Sequence, residues 1–244
     1  MTEKIQKILA NLGYGSRRYI ESIIKKGNVF VNGKKAIIGQ YLNQENPGEV
    51  FIEKEKIIFK KNKKLEIMIY NKPIGEICTR NDPKKRLTVF NNLPFLNLGR
   101  WISIGRLDMN TQGLLLFTNN GELANKLMHP RNQIEREYYI RVFGDINQQQ
   151  INSLKKNIKI KYGYVAFKSI QLISQNKSKN KWFKGVLCEG KNREIRLIFH
   201  SIKCQVNRLI RVRYGNIVLP KNLKEGQWKK LNSTLINNVC NLTK

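Results

Sequence analysis

Apolar positions at Ile5, Ile8, Leu9 and Leu12 recur at i, i+3, i+4 and i+7, which predicts an amphipathic helix over residues 3–12. Gly13 and Gly15 end it. Ser16 is placed to cap a second helix whose apolar stripe is Tyr19, Ile20, Ile23 and Ile24, closed by Gly27. Val29-Phe30-Val31 then runs into Asn32-Gly33, a dipeptide suited to the left-handed residues of a tight hairpin turn. Residues 53–64 are rich in Lys and Glu and read as a linker or edge segment, with a domain boundary near residue 63.

Past that boundary the pattern changes. Strand-like runs cover Ile67–Tyr70, Trp101–Ile104, Leu114–Thr118, Tyr138–Phe143, Val165–Ile173, Trp182–Cys188 and Val206–Arg213. Helical spacing fits Glu122–Met128, Asn147–Lys156 and Arg193–His200. Short turns such as Asn119-Asn120-Gly121 separate the strands more often than crossover helices do. The expectation is therefore an α+β domain with a mainly antiparallel sheet. The chain divides into a small unit at 1–62 and a larger one at 63–244.

Hydrophobic residues at 41% and charged residues at 26% are ordinary for a globular chain. The charge balance is not: 46 Lys and Arg face 17 Asp and Glu, a net +29. Such an excess calls for a polyanion. Abundant Lys, Asn and Ile also suggest drift in base composition, but the 14 arginines sit largely inside short motifs, where bidentate phosphate contact is their special capacity. On the second helix Arg18 and Lys25, seven residues apart, share a face away from the isoleucines; Arg17 and Lys26 broaden it, and Lys34 and Lys35 follow in the hairpin. Cys78, Cys188, Cys204 and Cys240 show no close pairing, and His129 and His200 lie far apart, so neither a zinc site nor a disulfide framework is suggested. No apolar leader follows Met1 and no run is long enough to span a membrane, which predicts a cytoplasmic protein.

Only three aspartates occur, Asp82, Asp108 and Asp145. Asp108 stands in Gly105-Arg106-Leu107-Asp108-Met109-Asn110-Thr111-Gln112-Gly113-Leu114-Leu115. A lone Asp before a strand is usually a turn-former or cap. Here the run resembles the catalytic loop of the pseudouridine synthases, in the branch that acts on ribosomal RNA and carries an N-terminal S4 domain. Asn71-Lys72-Pro73, Glu135-Arg136-Glu137-Tyr138, Glu189 through Arg196, and Arg208 through Val212 follow in that family's order, and the helix–helix–hairpin start resembles its S4 domain.

The resemblance implies an S4-like RNA-binding domain plus a synthase domain with a mixed, mainly antiparallel sheet and a central cleft. It implies isomerisation of a uridine in large-subunit ribosomal RNA, free or in an assembly intermediate, by a monomer. The N1–C1′ bond is cut, the base turns and rejoins through C5. No atom is gained or lost, so no cofactor or metal is implied, in line with the lack of a Walker loop or metal-ligand spacing. Asp108 becomes the essential carboxylate, Tyr138 the ring packed on uracil, and Arg196 the cation paired with Asp108, opposing the neutralisation that burial favours. Tyr139 is then the core tyrosine of that strand. Arg106 fills the gap left by the extruded base or holds the backbone, and Lys72 is structural or a phosphate contact. The S4 likeness favours phosphate contact for Arg17, Arg18, Lys25 and Lys26. Leu197 and Asn120 depart from the family pattern, and the basic C-terminal tail of larger members is missing, which bears on RNA affinity and site choice. Two alternatives stay open: a non-catalytic S4-type RNA-binding or assembly protein, and a synthase of small-subunit ribosomal RNA.

Overall fold

A computed structural model describes residues 2–59, 64–173 and 179–242. It divides into two compact units: residues 1–65 with 94–101 and 119–121 form one, and the remainder forms the other. The boundary expected near residue 63 lies outside the described residues.

In the smaller unit, helices Ile5–Leu12 and Arg17–Lys25 follow the expected spacing. Gly13 closes the first in the left-handed region (φ 107°), and the Ser16 hydroxyl accepts from the Tyr19 N–H at 3.0 Å to open the second. Ile5, Leu9, Ile20 and Ile24 pack against Val29 and Val50 in one apolar core. The first helix begins later than its periodicity suggests, because Thr2–Lys4 pairs as a strand with Tyr41–Asn43. Tyr19 leaves the stripe: it is exposed, its ring lying over Gly15, where a Cβ would collide with it. The hairpin turn at Asn32 and Gly33 has positive φ at both residues, joining Val29–Val31 to Lys34–Lys35. Val50–Ile52 and Glu55–Lys56 complete a four-stranded sheet, and Ile57 is buried behind it. The charged stretch from residue 53 is therefore partly sheet edge.

The larger unit is built on a nine-stranded sheet. Its order runs Ser169–Leu172, Asn180–Leu187, Arg136–Phe143, Gln205–Tyr214, Gln112–Thr118, Ile67–Lys72, Trp228–Lys230, with Ile217–Val218 and Ile102–Ile104 paired to the side. All neighbours are antiparallel except one pair: Ile210 and Arg211 run parallel to Gln112 and Gly113. This seam joins two antiparallel halves. Gly113 permits it, since a Cβ there would stand 2.3 Å from the Arg211 carbonyl oxygen, and its φ of 100° suits glycine alone.

Two differences from the sequence pattern have local causes. The run over 165–173 splits, because Phe167 turns inward against Phe199 and Gly185, leaving Gly163–Val165 to pair with Ile158–Ile160 and Ser169–Leu172 to join the main sheet. Helix Ser233–Asn241, capped by Asn232, buries little beyond Val239 and so lacks a readable apolar stripe.

Candidate active site

Asp108 lies in the loop that enters Gln112–Thr118 at the parallel seam, so the sheet's topology delivers it to the middle of the larger unit. The loop is a tight one, with the Thr111 N–H bonded to the Asp108 carbonyl at 3.0 Å. It forms one wall of a cleft of about 1060 Å³. Tyr138, Arg196, Arg106 and Arg211 line the same cleft.

The register explains the gathering. Tyr138 stands opposite Arg211, Arg211 opposite Gly113, and Gly113 opposite Lys72, forming one row across four strands. Opposed residues of neighbouring strands present their side chains on one face, a few ångströms apart. The row therefore sets an aromatic ring and two cations under the Asp108 loop, with a glycine where the loop's strand passes closest.

Each cation is fixed by backbone oxygens. Lys72 is fully buried; its Nζ donates to the carbonyls of Pro73 (2.8 Å), Thr111 (3.0 Å) and Met109 (3.4 Å), clamping the part of the loop that follows Asp108. Burial pulls its ammonium below the ordinary lysine value, opposed by charges on Cys78, Glu76 and Asp108. Of the two readings, structural or phosphate contact, the burial of Lys72 and its three carbonyl partners favour the structural one. Arg196 donates through Nη1 to the Val206 carbonyl (2.7 Å) and through Nη2 to the Asn110 carbonyl (2.9 Å). It thus holds the Asp108 loop by its backbone, and among the described residues no ion pair joins it to the carboxylate. Burial and the Arg193 charge lower its pKa, while the nearby Asp108 charge opposes them. Arg106 is exposed at the cleft wall.

Tyr138 is 6% exposed, and burial pushes its phenol above the ordinary tyrosine value, with Arg211 pulling the other way. Tyr139, expected as the core tyrosine of this strand, is instead 38% exposed: the strand's alternation turns Tyr138 into the unit and Tyr139 out of it.

Further cleft residues carry no role in the sequence reading. Arg211 is 2% exposed, donates through Nε to the Leu114 carbonyl at 2.7 Å, and lies 5.2 Å from the Tyr214 ring centre. Arg136 flanks the same ring at 5.0 Å and donates to the Cys188 carbonyl and the Tyr214 hydroxyl. The available signal was a cation at an inward position of an alternating strand. Glu194, at the start of helix Glu194–Ser201, is 5% exposed; burial raises its carboxyl to about 7, while the hydrogen bond from the Lys191 N–H and the Arg136 charge oppose the rise. Arg17, Arg18, Lys25 and Lys26 are not among the cleft's lining residues; they are exposed on the second helix of the smaller unit. Among the described residues no cluster of His, Cys, Asp or Glu suits a metal ion, and no helix is long and apolar enough to cross a membrane.

Chemically, the cleft can hold a flat ring on Tyr138 beside a carboxylate whose loop is held by Lys72 and Arg196. Residues 66–201 match the family model described as RNA pseudouridylate synthase, and residues 3–42 match the S4 domain. Ribosomal large subunit pseudouridine synthase B of Buchnera aphidicola subsp. Schizaphis graminum is 68% identical, over 99% of this chain and 95% of its own length. The protein of that name from Escherichia coli K12 is 48% identical over 95% of this chain and 80% of its own. Among solved structures, a pseudouridylate synthase at 21% identity superposes with a TM-score of 0.66, covering 97% of this chain and 99% of that one.

Proposed function

The chain belongs to the RNA pseudouridylate synthases, with an S4 domain at its N-terminal end, and from that premise we propose that it converts a specific uridine of large-subunit ribosomal RNA to pseudouridine with Asp108 as the reacting carboxylate. The observation that carries the reading is the placement of Asp108, Tyr138, Arg196 and Arg106 around one cleft at the parallel seam. The names of the similar proteins support the substrate class.

A uridine stacked in folded RNA cannot reach such a cleft, so the base is extruded into it. Tyr138 receives the ring on its face, and its hydroxyl stays within reach of a proton relay. Asp108 then acts on the base at C6, on the sugar at C1′, or on a sugar proton; each route needs an ionised oxygen at the glycosidic bond. Lys72 and Arg196, close enough to feel the Asp108 charge, hold its loop through the carbonyls of Thr111 and Asn110. The base, once cut, must turn without leaving, which a closed apolar ring contact allows. Arg106 contacts the RNA backbone or fills the gap left by the base. The exposed Arg17, Arg18, Lys25 and Lys26 contact phosphates of ribosomal RNA or of an assembly intermediate. We place the protein in the cytoplasm as a monomer that needs no cofactor, since the isomerisation neither gains nor loses an atom.

Mapping pseudouridines in ribosomal RNA from cells with and without the gene tests this. Loss of one site in the large-subunit RNA is expected, restored by the wild-type gene and not by Asp108→Asn. Loss of a small-subunit site would reassign the substrate, and an unchanged map would sink the reading.

A further inference from the structure

Segment Pro94–Trp101 belongs to the same compact unit as the N-terminal helices, though it is distant from them in sequence. It is anchored at both ends: Trp101 is 4% exposed and its indole N–H donates to the Pro94 carbonyl at 2.8 Å. Its Gly99 lies directly against Gly13. A Cβ on Gly13 would stand 2.9 Å from the Gly99 carbonyl oxygen, so the two backbones touch in the way only glycine permits. The next residue is Arg100, and four residues past Gly13 is Arg17, the first residue of the second helix.

Across this contact Arg17 and Arg100 are near enough for the charge of one to act on the other. Arg17 is exposed and Arg100 half-buried. The Arg100 Nε is enclosed and has no acceptor among the described residues. Burial, and after it the charge of Arg17, act against the charge on Arg100. Neither arginine has a carboxylate partner among the described residues, while the unit's Glu3, Glu21 and Glu49 are engaged by Lys7, Gln6 and Lys56. Two like charges held together, one partly desolvated, cost folding free energy that an anion between them would return. The amino end of the second helix, where backbone N–H groups lack helical partners, adds to the same positive field. In the same unit Tyr14, Tyr19 and Phe95 are exposed, Phe95 at 87%. Cations interleaved with bare rings are the composition of a single-strand nucleic-acid surface.

We propose that Arg17 and Arg100 together clasp one phosphate of the RNA backbone, so that residues 94–101, remote in sequence from the S4 match, complete its RNA-binding face. The inference rests on the reading of the smaller unit as RNA-binding. Phosphate suits the pair because two planar forks can bond several oxygens of one group.

Filter binding of the full chain to a full-length large-subunit ribosomal RNA transcript, over a series of KCl concentrations, tests it. Arg100→Ala and Arg100→Gln should each weaken binding on the order of tenfold. The slope of log affinity against log salt should become shallower by roughly 0.7–0.9. Arg17→Ala should do the same, and the double variant should lose less than the sum of the singles. Because Arg100 is a repelled, partly buried cation, its removal should also raise the melting temperature, which loss of a structural arginine would lower. Unchanged affinity and slope on losing Arg100, in a series where Arg17→Ala reduces both, would overturn the clasp and leave the RNA-binding reading standing. No change from either arginine would overturn both. A fall in melting temperature that accompanies the loss of binding would assign Arg100 to packing and overturn the clasp as well.

Discussion

Arg17, Arg18, Lys25 and Lys26 stand exposed on a helix of the smaller unit, whereas Lys72, Arg136 and Arg211 are buried in the larger one and give their N–H groups to carbonyl oxygens of that unit. Both units are basic, yet their cations do different physical work. An exposed, unneutralised cation contributes affinity for a polyanion and is screened by salt. A buried cation bonded to backbone carbonyls contributes little to long-range attraction; it fixes a loop and shapes the charge around a reacting group. Net charge alone cannot tell these uses apart. Burial and hydrogen-bond partners can.

The sharpest test of the division is Asp108→Asn. It removes an ionised oxygen at nearly constant volume, so turnover should fall by at least roughly a thousandfold. The exposed cations stay in place, so affinity for a ribosomal RNA transcript and its salt slope should not move. Single-turnover kinetics with tritium release from labelled uridine measures the first, filter binding the second. Turnover within tenfold of wild type would remove Asp108 from the chemistry.

The reverse experiment replaces Arg17, Arg18, Lys25 and Lys26 with alanine together. If each contacts one phosphate, the salt slope should become shallower by roughly 3–4 units, and affinity near physiological salt should drop on the order of a hundredfold or more. Turnover of RNA already bound should stay near wild type. An unchanged slope would mean that these side chains are solvated surface produced by compositional drift.

Lys72→Met probes the buried class. Methionine fills the space but leaves three carbonyls, at Pro73, Met109 and Thr111, without their donor. Stability should fall by roughly 1–3 kcal/mol in urea titration. The catalytic rate should fall with it while the salt slope holds, because no phosphate contact is lost. A shallower slope with unchanged stability would move Lys72 into the exposed class.

The sequence already carried the distinction in part. The two N-terminal helices and the Asn32-Gly33 hairpin were legible because each has a local cause: an i, i+3, i+4 stripe, a serine cap, a dipeptide suited to positive φ. Most strands of the larger unit were legible from their apolar runs. Asp108, Tyr138 and Arg196 could be picked out by motif, and they line one cleft. The roles of Lys72 and Arg211 were not legible, because they depend on register. Nothing near Lys72 in the chain says that it stands across from Gly113, or that its Nζ meets a loop 39 residues away. Nor does any local signal place Pro94–Trp101 with the N-terminal helices; that is a tertiary fact marked only by Gly13 and Gly99. The contact of Arg196 with the Asn110 carbonyl, rather than with the Asp108 carboxylate, likewise depends on how the loop closes.

The smallest expected effect concerns the acid left among the buried cations. Arg136 lies near Glu194 but gives its guanidinium to the Cys188 carbonyl and the Tyr214 hydroxyl, so burial outweighs its charge and Glu194 rises to about 7. A carboxyl that binds its proton more tightly when folded adds stability that is fully present below its ordinary value of 4.5 and is lost as pH rises through about 7. Wild-type stability should therefore decline between pH 5 and pH 8, on the order of 2 kcal/mol from this group. Glu194→Gln copies the protonated form and can still accept from the Lys191 N–H. Its stability should match wild type near pH 5 and exceed it near pH 8, read from urea titrations at both values. If the two proteins decline in parallel, Glu194 is ionised in the folded state throughout. Arg136 would then be its ion-pair partner, and the buried cations would be neutralised by acid as well as by backbone, contrary to the division drawn between the two units.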